Sequence, residues 1–413
     1  MNDVLPDQSA SWRYLEKIFV DTLSAYDYQE IRFPLLEKTH LFKRTIGEIT
    51  DIVEKEMYTF NDLNGDSLTL RPEGTASCLR ACLEHGLLHN QQRKLWYFGP
   101  MFRHEKPQKG RYRQFNQFGV EAFGIHGTAI ELELILICKR LWTKLNICHS
   151  VTLQVNTLGT LAERQIWRDA LIKHFKPHFE LLDEDSKRRL DKNPLRILDS
   201  KNPQMQPLIA SAPTLLDVLS ESSRQQFSDF CKGLDALGLA YTINPFLVRG
   251  LDYYGHMVFE WVTDKLGSQA TVCAGGRFDM LVEQLGGNQM PAIGFAMGAE
   301  RLLLLMAELD IAIPVESPPL AFVAFTCDES MQKALILAES LRSELTCNVV
   351  VNTAGGGFKS QFKKADKSGA RFAIILGENE LCDGTVTIKD LRGLEEQVTI
   401  FQDELNGYMK SRA

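Results

Sequence analysis

Arg103, Glu105, Arg111, Arg113, Phe115, Gln117 and Glu121 fall within one short stretch, residues 103–121. Between 103 and 113 there are five Lys or Arg residues and one Glu, in a chain whose net charge is −7. If residues 113–121 form a strand, its two-residue period puts Arg113, Phe115, Gln117, Gly119 and Glu121 on one face. A cation, a flat ring, an amide, bare backbone and an anion make a poor core surface. The alternate face, with Gln114, Asn116, Phe118 and Val120, reads no better as a simple core face. The pattern suits a ligand that carries both phosphates and a planar ring. A solvated charged hairpin would account for the charges, but not for the Phe, Gln and Glu interleaved with them.

The elements around this stretch can be read from spacing and turn chemistry. Arg103 and Glu105 close an upstream apolar run, and the loop Lys106–Gly110, with Pro107 and Gly110, suits a long hairpin. Residues 9–28 suit a helix capped by Ser9 or Ser11. Residues 30–42 read as extended with Pro34 inside, which excludes a central paired strand and points to an edge or an interface. Residues 67–86 read as strand, turn at Pro72–Gly74, and helix ending at Gly86; 129–145 is helical and 151–159 a strand. From 161 to 240 strand patterns vanish and polar helical segments dominate, as in an inserted module. Strands return in 246–263, 271–286 and 292–309. After an ESPP linker at 316–319, strand, helix, strand, helix, strand describe a small separate α/β domain.

Composition narrows the class. A chain of 413 residues with 44% hydrophobic and 24% charged residues fits an ordinary soluble protein of two or three domains. No apolar run approaches the roughly 18 residues of a membrane span, and the first residues lack a basic-then-apolar signal pattern. Nine cysteines are scattered without a CxxC pair, and Cys78 and Cys82 read as small apolar residues of a helix. A reducing, cytoplasmic setting is expected. The histidines form no HExxH cluster, so no dedicated metal site is expected. The acidic balance argues against a nucleic-acid coat but leaves room for local basic patches.

Six ordered blocks carry a resemblance over essentially the whole chain. The 103–121 hairpin resembles motif 2 of the class II aminoacyl-tRNA synthetases; AIGFAMGAERLLLL (292–305) resembles motif 3, and the Pro34 segment motif 1. LVRGLDYYG (247–255), AGGRFDMLVEQLGG (274–287) and RPEGT (71–75) are similar to blocks of the histidyl-tRNA synthetase family. KADKS (364–368) half-matches the class I signature but stands in the wrong domain without a partner motif. The resemblance implies an α+β fold, a class II core of antiparallel sheet flanked by helices that dimerises through motif 1. It divides the chain into a core over 1–160, a helical insertion over 161–240 near the acceptor stem, core again over 241–314, and an anticodon-binding α/β domain over 319–413.

The same resemblance implies ligation of L-histidine to tRNA(His) through a histidyl-adenylate. ATP would be the co-substrate and Mg2+ would be bound mainly through ATP. Arg103 is then expected on the α-phosphate, Arg301 on the outer phosphates, and Arg249 between the α-phosphate and the attacking carboxylate as the chief catalytic residue. Arg111 and Arg113 would be secondary phosphate contacts, Glu105 could assist the metal, and Phe115 would stack on adenine opposite a guanidinium, that of Arg301. Glu121 and Tyr253 or Tyr254 would read the imidazole; Glu73, Thr75 and Gln117 offer the acceptors an α-ammonium needs. Lys359, Lys363 and Lys367 line one helix face that either contacts RNA or is simply solvated, with Phe358 and Phe362 as candidate base-stacking rings.

Two departures from the family pattern stand out. Its Arg-Gly pair before the position of Met1 is absent, which leaves a late start or a trimmed end, and Phe278 stands where Tyr is common. The rival readings are a non-catalytic paralogue acting as a regulatory subunit, and a sensor of uncharged tRNA or histidine. Neither needs the full set of Arg103, Glu121, Arg249 and Arg301.

Overall fold

A computed structural model describes residues 1–413 apart from 47–49, 51, 107, 199, 201, 250, 252, 268–270, 315–317 and 413. Pro107 and half of the ESPP linker therefore lie outside the described residues. The chain divides into two compact units, Met1–Ile313 and Pro314–Ala413.

The first unit has eleven strands among the described residues: β1 (Gln29–Glu30), β2 (Leu36–Lys38), β3 (Thr59–Asn61), β4 (Ser67–Leu70), β5 (Arg93–Phe102), β6 (Gln114–Phe123), β7 (Thr152–Thr157), β8 (Tyr241–Ile243), β9 (Gly255–Val262), β10 (Thr271–Arg277) and β11 (Ala292–Gly298). Its α-helices are α1 (Pro6–Ser24), α2 (Thr39–Ile46), α3 (Thr75–Glu84), α4 (Thr128–Lys144), α5 (Leu161–Phe175), α6 (Glu184–Lys192), α7 (Gln206–Ala210), α8 (Glu221–Ala236), α9 (Asp279–Gln284) and α10 (Ala299–Glu308). Eight strands form one sheet in the order β1-β5-β6-β11-β10-β9-β7-β8; β2, β4 and β3 form a small second one. The large sheet is antiparallel except at its edges, where β1 runs parallel to β5 and β8 to β7.

Period 2 sorts the strands onto two cores. Phe118, Val120 and Ala122 of β6 face a helical layer built from α1, α4, α8 and α10. Phe19 of α1 stacks on Phe118 with ring centroids 3.7 Å apart, a pairing worth about 0.5–1.5 kcal/mol beyond its buried area. This corrects the reading of the Gln114–Val120 face: its inner half is core, and Asn116 is held by the Glu300 carboxylate. On the opposite face, Leu95, Tyr97 and Met101 pack with α3, α9 and the helical segment 161–236, including Trp167, Leu171 and Phe175.

Three boundaries differ from the sequence reading. Helix α1 begins at Pro6, upstream of both Ser caps, because proline's fixed φ suits a first helical position, where its missing N–H is not needed. The extended 30–42 segment gives way to α2 at Thr39, whose hydroxyl bonds Ser67 and Thr69 of the neighbouring strand. Strand β9 starts only at Gly255, so Arg249, Tyr253 and Tyr254 stand on the loop before it.

The second unit holds β12 (Ala321–Phe325), β13 (Val349–Val351), β14 (Phe372–Leu376), β15 (Thr385–Asp390) and β16 (Val398–Phe401), in the order β13-β12-β14-β15-β16. Its helices are α11 (Asp328–Leu345), α12 (Phe358–Lys367), α13 (Glu378–Asp383) and α14 (Leu405–Lys410). The three expected strands are the parallel ones; β15 and β16 add an antiparallel edge. Helix α12 docks through Gln361, whose amide accepts from Phe325 N and donates to Phe325 O. Its outer face exposes Lys359, Lys363 and Lys367.

Candidate active site

A cavity of about 300 Å³ lies over the sheet where β6, β11, β10 and β9 run side by side. Phe115 and Gln117 of β6 line it, as the strand period predicts. Arg103 follows β5, Arg249 comes from the loop before β9, and Arg301 from the first turn of α10; all three line this one cavity. Glu73, Thr75, Glu105, Arg111, Tyr253 and Tyr254 line it too.

The arginines are held by carbonyls and carboxylates. Arg103 Nε donates to Pro72 O at 2.8 Å, and its guanidinium lies 5.5 Å from the centre of the Phe115 ring. Glu105 is 2.8 Å from Arg111 Nε and 3.9 Å from Arg103 Nη1. Arg249 pairs with Glu260, Thr271 Oγ1 donates to the other oxygen of Glu260 at 2.9 Å, and Arg301 donates to the Thr271 carbonyl. Glu260 and Thr271 thus tie Arg249 to Arg301. Burial pushes the Arg301 guanidinium down, and the nearby Arg111 and Arg103 push it further. Burial also works against the charge on Arg249, but Tyr254 and Glu260 outweigh it and hold that proton more firmly than usual. Crowded guanidiniums of this kind favour a polyanion.

The other end carries carboxylates. Glu73 accepts from Thr75 N at 2.7 Å and Ala76 N at 2.9 Å, which caps α3 where backbone N–H groups favour an anion. Burial still raises its carboxyl above the usual range. Thr75 Oγ1 donates to Glu121 Oε1 at 2.7 Å, and the Tyr97 hydroxyl donates to the same atom at 3.1 Å. Burial pushes the Glu121 carboxyl well up. Gln117 Oε1 and Glu121 Oε2 are buried without a hydrogen-bond partner among the described residues. The Tyr254 ring lies 5.0 Å from the Arg249 guanidinium, and Phe278 packs edge-on against Tyr253 and Tyr254.

Two expected residues stand off the cavity wall. Arg113 precedes β6, so the strand period does not carry it onto the wall; its carbonyl accepts from Arg103 N instead. Glu121 sits behind Thr75 and Tyr97, over Gly294, where a Cβ would come within 1.8 Å of its Oε2. Tyr97, Tyr112, Glu260, Thr271 and Glu300 line the cavity although sequence reasoning passed over them. Tyr97 could have been found from its glycines: a Cβ on Gly74 or Gly119 would lie 2.2 or 2.0 Å from its ring.

Among the described residues no group of three or more His, Cys, Asp or Glu could hold a metal ion. Glu260, Glu105 and Glu300 are each engaged by a protein cation or amide.

This fold and cavity define a class II aminoacyl-tRNA synthetase core followed by a separate α/β unit. Residues 1–302 match the family model described as histidyl-tRNA synthetase, and residues 313–412 that of an anticodon binding domain. The chain belongs to the histidyl-tRNA synthetase family. It is 65% identical over 412 residues to the histidine–tRNA ligase of Legionella pneumophila strain Paris, covering 100% of this chain and 97% of that one. Against the strain Lens protein of the same name the identity is 64%, over 99% of this chain and 96% of the other. The apo Staphylococcus aureus histidyl-tRNA synthetase structure is 36% identical with a TM-score of 0.83, covering 99% of this chain and 98% of that one. A Nostoc sp. histidyl-tRNA synthetase, at 19% identity and TM-score 0.69 over 100% and 98% of the two chains, shares the fold.

Proposed function

We infer that the chain ligates L-histidine to tRNA(His) in two steps. The histidine carboxylate attacks the α-phosphorus of ATP, giving histidyl-adenylate and pyrophosphate; the histidyl group then passes to the 3′-terminal adenosine of the tRNA. The observation that carries this reading is the convergence of Arg103, Arg249 and Arg301 on one cavity whose far end holds Glu73 and Gln117.

The first step needs no general base, because the nucleophile is already ionised. It needs two anions brought together and the developing charge stabilised, which is positioning plus electrostatics. Arg249 would neutralise both the attacking carboxylate and the α-phosphate, with Arg103 on the α-phosphate and Arg301 on the outer phosphates. The planar guanidinium suits each task because it stays charged and binds two oxygens. Arg111 is a secondary phosphate contact, and Mg2+ accompanies ATP. Phe115 stacks on adenine, which requires Arg103 to share or leave that ring. Gln117 Oε1 and the hydroxyl of Thr75 accept from the α-ammonium, beside Glu73. Tyr254 and Glu121 set imidazole selection, with Glu121 acting at the pocket wall through Thr75 and Tyr97.

A non-catalytic regulatory paralogue is not favoured, since the arginine set and the second unit are both present. Within this reading Lys359, Lys363 and Lys367 meet the anticodon arm, and residues 161–240 approach the acceptor stem. The exposed Leu35 and Leu36 beside Pro34 serve a homodimer, and the enzyme works in the cytoplasm. No helix among the described residues is long and apolar enough to cross a membrane. Histidine-dependent ATP–pyrophosphate exchange, run against the other amino acids, tests the assignment: exchange with histidine alone is expected, and none with histidine would end it.

A further inference from the structure

The first turn of α5 carries two adjacent residues that face different parts of the first unit. Glu163 accepts from Thr160 N at 2.6 Å, Ser220 N at 2.7 Å and Ser223 Oγ at 2.9 Å, which ties the start of the helical segment to its return. Arg164, next to it, is half-buried, and its Nη1 donates to the backbone carbonyl of Tyr254 at 2.6 Å, across 90 residues of sequence. The same junction is closed by backbone bonds from Leu158 N to His256 O at 2.6 Å and from His256 N to Gly159 O at 3.1 Å. Helix α5 then packs Trp167 and Leu171 into the core that holds Tyr253 and Tyr254.

The consequence concerns one end of the cavity. Tyr254 stands on a loop, and its ring lies 5.0 Å from the Arg249 guanidinium. A loop carbonyl held by a charged donor loses much of its freedom, because charge-assisted hydrogen bonds are roughly twice as strong as neutral ones. The nucleotide end is fixed elsewhere, Arg103 by Pro72 O and Arg111 by Glu105.

We propose that Arg164 is a positioning residue for the amino-acid end of the site: it fixes the Tyr254 carbonyl, and with it the Tyr254 ring, to the helical segment. This rests on the functional reading above. The geometry makes the effect selective, with histidine binding dependent on Arg164 and nucleotide binding largely independent of it.

The test is ATP–pyrophosphate exchange by the full chain carrying Arg164→Met or Arg164→Lys, with KM measured separately for histidine and for ATP. Loss of the charged donor should raise the histidine KM about tenfold, leave the ATP KM within about twofold, and be partly reversed by lysine. An unchanged histidine KM, or equal rises in both KM values, would overturn the proposal, since general loosening of the fold does not discriminate between substrates. If the methionine variant fails to fold, the lysine variant decides: a histidine-only rise supports the assignment, and no split overturns it. Absence of histidine-dependent exchange in the wild-type chain would instead remove the functional reading itself.

Discussion

Tyr97 reaches Glu121 across the β5–β6 pair: its hydroxyl donates to Glu121 Oε1 at 3.1 Å, and its ring lies over Gly119, its direct partner in the register. The cavity therefore meets Tyr97 first and the buried carboxylate behind it. Tyr97→Phe keeps the ring and removes one hydrogen bond to a buried charge-bearing group, which costs about 1–3 kcal/mol. Histidine KM in pyrophosphate exchange should rise roughly tenfold or more, with a smaller change in ATP KM. An unaltered histidine KM would show that Glu121 is held by Thr75 alone.

Arg249→Ala removes the guanidinium proposed to lie between the two reacting anions and takes from Glu260 its Arg249 partner, with the Thr271 bond remaining. Adenylate formation should fall by about two or more orders of magnitude while circular dichroism stays that of the native chain. Near-normal exchange would take Arg249 out of the mechanism.

Gly119→Ala would bring a Cβ to 2.0 Å from the Tyr97 ring, directly between two paired strands. Overpacking of this kind costs about 1–3 kcal/mol, so the melting temperature should drop by several degrees. Histidine binding, followed by calorimetry, should weaken more than ATP binding, because the displaced ring belongs to the carboxylate end.

Glu121 gives a pH signature. Burial raises its carboxyl well above the usual range, with Glu73 adding repulsion against the Thr75 and Tyr97 hydrogen bonds. A carboxyl raised in the folded state stabilises the fold below its unfolded pKa, and that contribution is lost as pH rises through the folded value. Glu121→Gln should therefore melt at a higher temperature than wild type at pH 8, with the gap closing toward pH 4. Discrimination between histidine and an apolar analogue should fall at the same time. Equal melting curves at both pH values, or unchanged discrimination, would contradict the assignment.

Glu163 behaves oppositely. Burial alone would raise its carboxyl, but hydrogen bonds from Ser220, Thr160 and Ser223 hold it down to about 2. Such a group stabilises the fold above its ordinary pKa of 4.5 and loses that contribution as pH falls toward about 2. Glu163→Gln should cost on the order of 1–3 kcal/mol at pH 7, read by urea denaturation, and the difference should vanish in acid.

Much of this was legible in the residues. The alternation through Phe115 and Gln117 needs only a strand, and β6 supplies it. The helical stretch after 160 announced itself by losing strand periodicity, and all its described elements up to Ala236 are helical. What spacing could not convey was depth. Glu121 looks like a wall residue until Thr75, 46 positions away, and Tyr97, 24 away, are seen to lie in front of it. Glu260 and Tyr97 stand in apolar strands and read as core, since their partners Arg249 and Glu121 are brought to them by the fold alone. The strand begins one residue later than its pattern suggests, at Gln114, so Arg113 lies in the bend before it. Of the last two strands of the second unit, β15 sets the polar Thr387 and Asp390 among its buried positions and β16 is short and half-exposed, so both are weakly patterned.

The mutual repulsion of Arg301, Arg111 and Arg103 has a kinetic corollary. On the proposed assignment, departure of pyrophosphate would return these guanidiniums to the company of Glu105 and Glu260 and leave a single phosphate before them. That cluster attracts a singly charged acyl phosphate less than a triphosphate or pyrophosphate, so the labile anhydride must be kept from escape by its histidyl and adenine ends until an acceptor arrives.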